Sequence, residues 1–428
     1  MSNIAIRGGR IVDPANGIDR QADLYIQDGR IAAFDRAPAG FAVEQEIDAR
    51  ERVVCPGLVD LAVRTREPGQ TRNGTIASET RAAAAGGITT VCAMPDTNPV
   101  LDNTSVVELV RRRALQAGGA KVMPYGALTK GLAGEQLSEM AALQAAGCRA
   151  MSDGGRPLRN TLVLRRAMEY AGSFGLPLLL TPQDPWLSEG GLIHEGHIAT
   201  RLGLAGIPAA AETAALGRDL ALVEQTGVRC HFGRLSSAAG VARIAAARRQ
   251  GLPVSADCAA LQLFFTEQDL WDFNNACQVN PPLRSHGDRQ ALRAAVADST
   301  VGVICSDHQP HEPDAKAGPL GATQPGASGV DSLLALVLRL VDEELLALSP
   351  ALACVTCNPA RVLGLDAGTL SVGAAADVCV YDPRAVWWFT PETMHSRGKN
   401  SPFHGWEFSG RVTHTLVDGQ LVYCLADT

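Results

Sequence analysis

A chain of 428 residues that is 46% hydrophobic and 19% charged can bury a large core and carry an accessory domain, which excludes a peptide-like adaptor. Its formal charge of -7, from 45 acidic residues against 38 lysines and arginines, gives nucleic-acid binding no global electrostatic support, while leaving room for a small acidic ligand in a local basic pocket. The start lacks the long apolar segment of a secretory signal, and no run of about 18 uncharged apolar residues follows, so a cytoplasmic chain without a membrane span is predicted.

Residues 4–7 alternate apolar and polar side chains, the chain turns at Gly8-Gly9 and around Asp13-Pro14, and residues 22–32 repeat the pattern about Asp28-Gly29. Short antiparallel hairpins are predicted there. From Val53 to about Leu365, short apolar runs alternate with Ala- and Leu-rich stretches. They predict strands over 89–94, 122–126, 149–152, 177–180, 228–232, 253–257 and 301–306, with helices over 104–116 and 136–145. With the first strands these approach the eight of an α/β fold of the (β/α)8 barrel kind, whose working site lies at the carboxyl ends of the strands. A doubly wound open sheet is the alternative, but no glycine-rich nucleotide fingerprint follows the first strand. Residues 376–382 and 415–423 return to strand alternation. Both termini are therefore expected to build one small β-sandwich domain, residues 1–54 with 366–428, around a barrel of residues 55–365.

Eleven cysteines, an odd number, do not fit complete internal disulfide pairing, and the C-x-x-C spacing of Cys354 and Cys357 has no second pair nearby. They read as buried thiols. The apolar clusters Leu261, Phe264, Phe265 and Trp387, Trp388, Phe389 read as core packing rather than interface.

Several separated motifs occur in order: Pro56-Gly57-Leu58-Val59-Asp60, Arg66-Glu67-Pro68-Gly69, Met94-Pro95-Asp96-Thr97-Asn98-Pro99, Val279-Asn280-Pro281-Pro282-Leu283-Arg284 and Ser306-Asp307-His308-Gln309-Pro310-His311. Together they resemble dihydroorotase, and the likeness runs from the N-terminal hairpins through residues 368–377 to the final strands, essentially the entire chain. The resemblance implies a distorted amidohydrolase barrel with a small β domain, and reversible cyclisation of carbamoyl-aspartate to dihydroorotate. In active relatives a metal polarises the ring carbonyl and activates water while an aspartate manages the proton.

Four positions that the resemblance assigns to metal ligands carry other side chains. Ala62 and Arg64 stand where two histidines are expected; a methyl group donates no electron pair, and a guanidinium adds positive charge without a ligand atom. Thr181 matches a strand-end histidine, with Gln183 in place of an acidic neighbour, and a neutral hydroxyl replaces imidazole poorly. In the His231-Phe232-Gly233-Arg234 segment the first histidine persists, but the expected ligand matches Arg234; His231 is read as structural. Asp153 matches a carboxylate that serves the metal in a related subgroup, and Asp307 matches the catalytic, metal-facing aspartate. Without the four imidazoles, these carboxylates do not make a high-affinity zinc cage, so no metal and no cofactor are expected. His308 and His311 are read as hydrogen-bonding residues of a remnant pocket, and Lys130 as a loop residue rather than a carboxylated bridging lysine.

On the ligand side, Arg66 is a candidate for bidentate binding of a small carboxylate, whereas Asp96 replaces an expected asparagine and so adds negative charge against a dianionic substrate. Asn280 lies in a loop stiffened by Pro281-Pro282. Arg64 and Arg234 are expected to neutralise Asp153 and Asp307, since buried carboxylates that lose their cations are costly; the pairing itself is open.

The resemblance is close to noncatalytic dihydroorotase-like subunits of bacterial complexes. It implies a catalytically inactive chain in pyrimidine biosynthesis that partners the aspartate carbamoyltransferase catalytic chain and self-associates, with no nucleic-acid or membrane partner. An amidohydrolase of altered metal requirement acting on another cyclic amide, and a small-carboxylate-binding regulator using Arg66, are the alternatives.

Overall fold

The N-terminal alternation folds into β1 (Ile4–Asp13), β2 (Ile18–Gln27), β3 (Arg30–Phe34), β4 (Gln45–Asp48) and β5 (Val53–Pro56) in a computed structural model that describes residues 3–426. Met1, Ser2, Asp427 and Thr428, which the predicted accessory domain includes, lie outside the described residues. Gly8, at φ +69°, takes the irregularity where the β1–β2 register shifts between Ile6 and Gly9, a backbone position that a Cβ would strain.

The barrel follows as β6 (Leu58–Val63), β7 (Ile88–Ala93), β8 (Lys121–Pro124), β9 (Gly126–Ala127), β10 (Met151–Ser152), β11 (Leu178–Leu180), β14 (Cys230–Phe232), β15 (Val254–Ala259) and β16 (Val303–Cys305), with a short excursion pair β12 (Ile193–His194) and β13 (Gly206–Ile207). Every residue of β6 and β7 is buried, as parallel strands covered on both faces require. The ladders run in parallel from β6 to β7 and β8, then from β9 through β10, β11, β14 and β15 to β16. Strands β8 and β9 are one path interrupted at Tyr125, whose hydroxyl donates to the Leu61 carbonyl at 3.1 Å. The ring closes where Ala62 O and Arg64 N bond the two sides of His308, each at 2.9 Å. The result is a closed (β/α)8 core.

The helix predicted over 104–116 is observed as Thr104–Ala117, capped by Asn103. The one predicted over 136–145 begins only at Met140, because Gln136 and Ser138 are held extended by bonds to Lys130 and Leu128.

The C-terminal strands β17 (Val378–Phe389), β18 (Trp406–Val417) and β19 (Gln420–Cys424) join the first five in the order β19-β18-β17-β5-β1-β2-β3, with β4 on β1. Because β5 bonds both β1 and β17, strands from the two termini join in one accessory β-sheet domain, as the alternation at both ends predicted. Ile4, Ile6, Leu24, Ile26, Val378, Val380 and Leu416 share its apolar core. The chain passes from this sheet into the barrel at Gly57, where a Cβ would stand 2.1 Å from the Thr89 methyl.

Ten of the cysteines are buried and free, and Cys424 is exposed. Leu261 and Phe265 are buried, Phe264 packs on Phe403 and Trp406, and Phe389 is buried. Trp388 departs from the core expectation at 57% exposure, since it falls on the outward face of β17. Among the described residues no helix is long and apolar enough to cross a membrane.

Candidate functional site

The carboxyl ends of the barrel strands carry Arg64, Asp96, Asp153, Thr181, Arg234 and Asp307, and backbone continuity explains their aim: each follows a short, fully buried parallel strand that ends at the barrel mouth. Arg64, after β6, donates from Nε to Asp96 Oδ2 at 2.7 Å, and its Nη1 stands 3.5 Å from Asp307 Oδ1. That second approach is an ion pair without hydrogen-bond geometry, leaving Nη1 buried with no hydrogen-bond partner. Arg234, after β14, donates from Nη1 to Asp307 Oδ1 at 3.1 Å and from Nη2 to the Thr181 hydroxyl. Gly155 leaves room for both: a Cβ there would lie 3.0 Å from Arg64 Nη2 and 3.3 Å from Arg234 Nη2.

Asp153 corrects one expectation. It forms no direct ion pair; Oδ2 accepts the Thr181 amide at 2.8 Å, while Oδ1 accepts the Gly155 amide at 2.9 Å and the Thr181 hydroxyl at 3.2 Å. Arg234 thus reaches Asp153 only through Thr181. Burial prevails at this carboxyl and raises its pKa despite those amides, whereas at Asp96 burial is outweighed by Arg64 and the pKa falls below the usual range. Burial opposes the charge on Arg234, but Asp307 and Asp153 outweigh it and hold the guanidinium protonated.

These contacts decide whether the metal of active relatives fits. Ala62 turns a methyl into the apolar core, two guanidiniums stand among the carboxylates, and Thr181 supplies a hydroxyl already bonded on both sides. Among the described residues no three His, Cys, Asp or Glu side chains are grouped to hold an ion. The donor set does not fit a catalytic divalent cation.

Arg66, expected to bind a carboxylate, spends its donors internally: Nε on the Pro310 carbonyl at 3.0 Å, Nη1 on Gln70 at 3.2 Å and Nη2 against His311 at 3.1 Å. Burial and the nearby Arg64 push its pKa down to about 10. Asn280 is not brought to Arg66 and Asp96. It lines a separate cleft of about 330 Å³ with Gly155 and Gln183, its Oδ1 buried without a partner. Lys130 is exposed.

His308 is fully buried. Its Nδ1 accepts the Gly329 amide at 3.1 Å, which places the ring proton on Nε2, and Nε2 donates to Glu79 Oε2 at 2.9 Å. Glu79 also takes the Ser78 and Ser396 hydroxyls at 2.6 and 2.7 Å, tying the segment between β17 and β18 to the barrel. His231 bonds Ser255 Oγ through Nδ1 and Asp257 Oδ2 through Nε2, both at 2.8 Å, and Asp257 Oδ1 accepts the Arg234 amide at 2.6 Å. Burial would raise Asp257, yet the His231 contact holds its pKa low. Asp60 accepts the Ala62 and Ser306 amides on Oδ1 at 3.3 and 3.1 Å, but its Oδ2 has no partner, and burial lifts its pKa to about 6.

Sequence reasoning missed Glu79, Asp257 and Asp60 as members of this network. A signal existed for Glu79: on the helix Ile76–Ala85 it falls on the same face as Ile76, Ala82 and Ala83, all buried, so a carboxylate there demands a partner.

Comparison with known proteins agrees with this architecture. Residues 51–239 match the family described as Dihydro-orotase-like, and residues 189–422 match the Amidohydrolase family. A dihydroorotase-like protein of Pseudomonas aeruginosa is 51% identical, covering 98% of this chain and 99% of its own. A dihydroorotase of Anaeromyxobacter dehalogenans is 45% identical, covering 98% and 97%. The L-hydantoinase of Arthrobacter aurescens superposes with a TM-score of 0.87 at 23% identity, over 100% of this chain and 98% of that one, a likeness of fold. With matches of this extent at both levels, the chain belongs to the dihydroorotase-like group of the amidohydrolase family.

Proposed function

We propose that this chain is a noncatalytic dihydroorotase-like subunit that acts in the cytoplasm, supports assembly of the aspartate carbamoyltransferase catalytic chain and associates with itself. The observation that carries the reading is the substitution of internal cations for metal ligands: Arg64 on Asp96 and Asp307, and Arg234 on Asp307 and Thr181. Guanidiniums neutralise the carboxylates but polarise no carbonyl through a coordination bond and activate no water. The barrel needs no metal to stay packed once they are in place, so a scaffold role survives the loss of the reaction. The partner is supplied by the family resemblance, and the relative named dihydroorotase-like protein supports the grouping.

The test is co-expression with the carbamoyltransferase catalytic chain, followed by size-exclusion chromatography with light scattering. Co-elution in one complex is expected. A monomer, with carbamoyltransferase assembly unchanged when the chain is deleted, overturns the partner. Stoichiometric tightly bound zinc together with dihydroorotase turnover overturns the noncatalytic assignment.

A second reading, an amidohydrolase of altered metal requirement acting on a cyclic amide, is favoured by the open cleft at Asn280 and by the relative named dihydroorotase. It requires ring-opening activity that Asp307→Asn abolishes. A carboxylate-binding regulator is less supported, because Arg66 is internally bonded; calorimetry with carbamoyl-aspartate tests it.

A further inference from the structure

The amino-terminal end of the barrel, opposite the site above, opens into a cavity of about 500 Å³ beside the starts of β11, β14, β15 and β16. Arg229, Arg248 and Arg361 line it, brought together from three segments. Among the described residues, no aspartate or glutamate lines this cavity, and none of the three arginines pairs with a carboxylate. Each rests on neutral oxygen instead: Arg229 on the Gly175 carbonyl at 2.7 Å, Arg248 on the Thr300 carbonyl at 2.9 Å, and Arg361 on Asn358 Oδ1 at 3.0 Å. A guanidinium has five N–H donors, so most of this capacity is free. Three guanidiniums from three segments thus face one cavity that has no acidic side chain among its described lining residues. The cleft between the accessory sheet and the helix Leu333–Asp342 shows the contrast: there Arg10 is bonded to Asp19 at 2.7 Å and Arg20 to Asp35 at 2.9 Å.

The remaining walls are divided between apolar side chains, among them Leu252, Val254 and Val362, and the hydroxyls of Ser255 and Thr300. The volume lies within the range of about 300–1,000 Å³ typical of small-molecule sites. Guanidinium groups suit planar bidentate contact with carboxylate or phosphate oxygens, and the apolar walls suit an organic body. We propose that this cavity binds a small organic polyanion, a phosphate ester or a polycarboxylate, with its charged groups on Arg229, Arg248 and Arg361. The assignment is independent of the function proposed above. The floor also provides a local reporter: Ser255 Oγ lies 2.8 Å from His231 Nδ1, and His231 continues through Asp257 to the Arg234 amide.

The test is titration of the full chain, at low ionic strength, with adenosine 5′-monophosphate, inorganic phosphate and citrate, by calorimetry and by ¹⁵N NMR of the histidine rings. At least one probe is expected to bind with a dissociation constant below about 1 mM, weaken with added salt and shift the His231 resonance. The nucleotide and phosphate arms against the citrate arm identify the source of the anionic group, and either outcome supports the site. Arg229→Gln combined with Arg361→Gln, both exposed and so tolerated by the fold, is expected to weaken binding about tenfold or more. Absence of binding by all three probes up to about 10 mM, or affinity unchanged in the double variant, overturns the proposal.

Discussion

Replacing Arg234 by alanine removes the cation on which the strand-end network turns. The side chain is 4% exposed, donates to Asp307 and Thr181, and offsets the charge of Asp153 through Thr181. Breaking a buried ion pair by deleting one partner costs about 3–5 kcal/mol, because the other charge stays behind without compensation. Asp307 would keep Arg64 Nη1 at 3.5 Å and the Gln309 amide at 3.1 Å, which places the expected loss near the lower bound, about 3 kcal/mol. An unfolding entropy of about 2.1 cal/mol/K per residue gives about 0.9 kcal/mol/K for 428 residues, so the midpoint should fall by about 3 °C in scanning calorimetry. Adding Asp307→Asn to Arg234→Ala removes the stranded charge and should recover more than about 1 kcal/mol. A midpoint within about 0.5 °C of the parent, or a second substitution that adds its full cost instead of recovering any, refutes the claim that Arg234 neutralises a buried carboxylate.

Asp60→Asn should separate a titration from a packing effect. Asp60 has a folded pKa of about 6 against about 3.9 unfolded, so its ionised form weakens the fold by about 3 kcal/mol above pH 6, and that cost is relieved as pH falls toward 4. The variant should therefore be more stable than the parent by about 1–3 kcal/mol at pH 8, with the advantage vanishing near pH 4; a pH-independent difference in urea midpoints would contradict this. In Glu79→Gln an amide donor faces donors from His308 and Ser396, at a cost of about 2–3 kcal/mol. Hydrogen exchange at the Arg397 amide, which bonds Glu79 at 3.3 Å, should accelerate, and unchanged protection there would show that Glu79 does not hold this segment. Gly57→Ala forces a methyl against Thr89 and should lower stability by about 1–3 kcal/mol; a calorimetric midpoint equal to the parent's would mean that the β5–β6 junction gives way freely.

Period-two alternation at the ends and apolar runs between Ala-rich stretches in the middle were enough to read the barrel and the accessory strands, because each depends on local spacing along the chain. That β5 bonds β1 and β17 at once, and so ties the two termini together, is revealed by nothing local. The chemical identities at Ala62, Arg64, Thr181 and Arg234 were likewise legible, because whether a side chain has an electron pair to give is a property of the residue. Their partners were not. Arg234 meets Asp307 across 73 residues and His308 meets Glu79 across 229, distances fixed only when the barrel closes. Closure also gave Arg64 to Asp96 and left Asp153 with backbone amides, a competition among neighbours that composition cannot rank. It gathered Arg229, Arg248 and Arg361 around one cavity as well. The sequence by itself determined which donors and charges are available; the tertiary structure alone decided which of them face one another, because pair energies depend on separations that exist only in the folded chain.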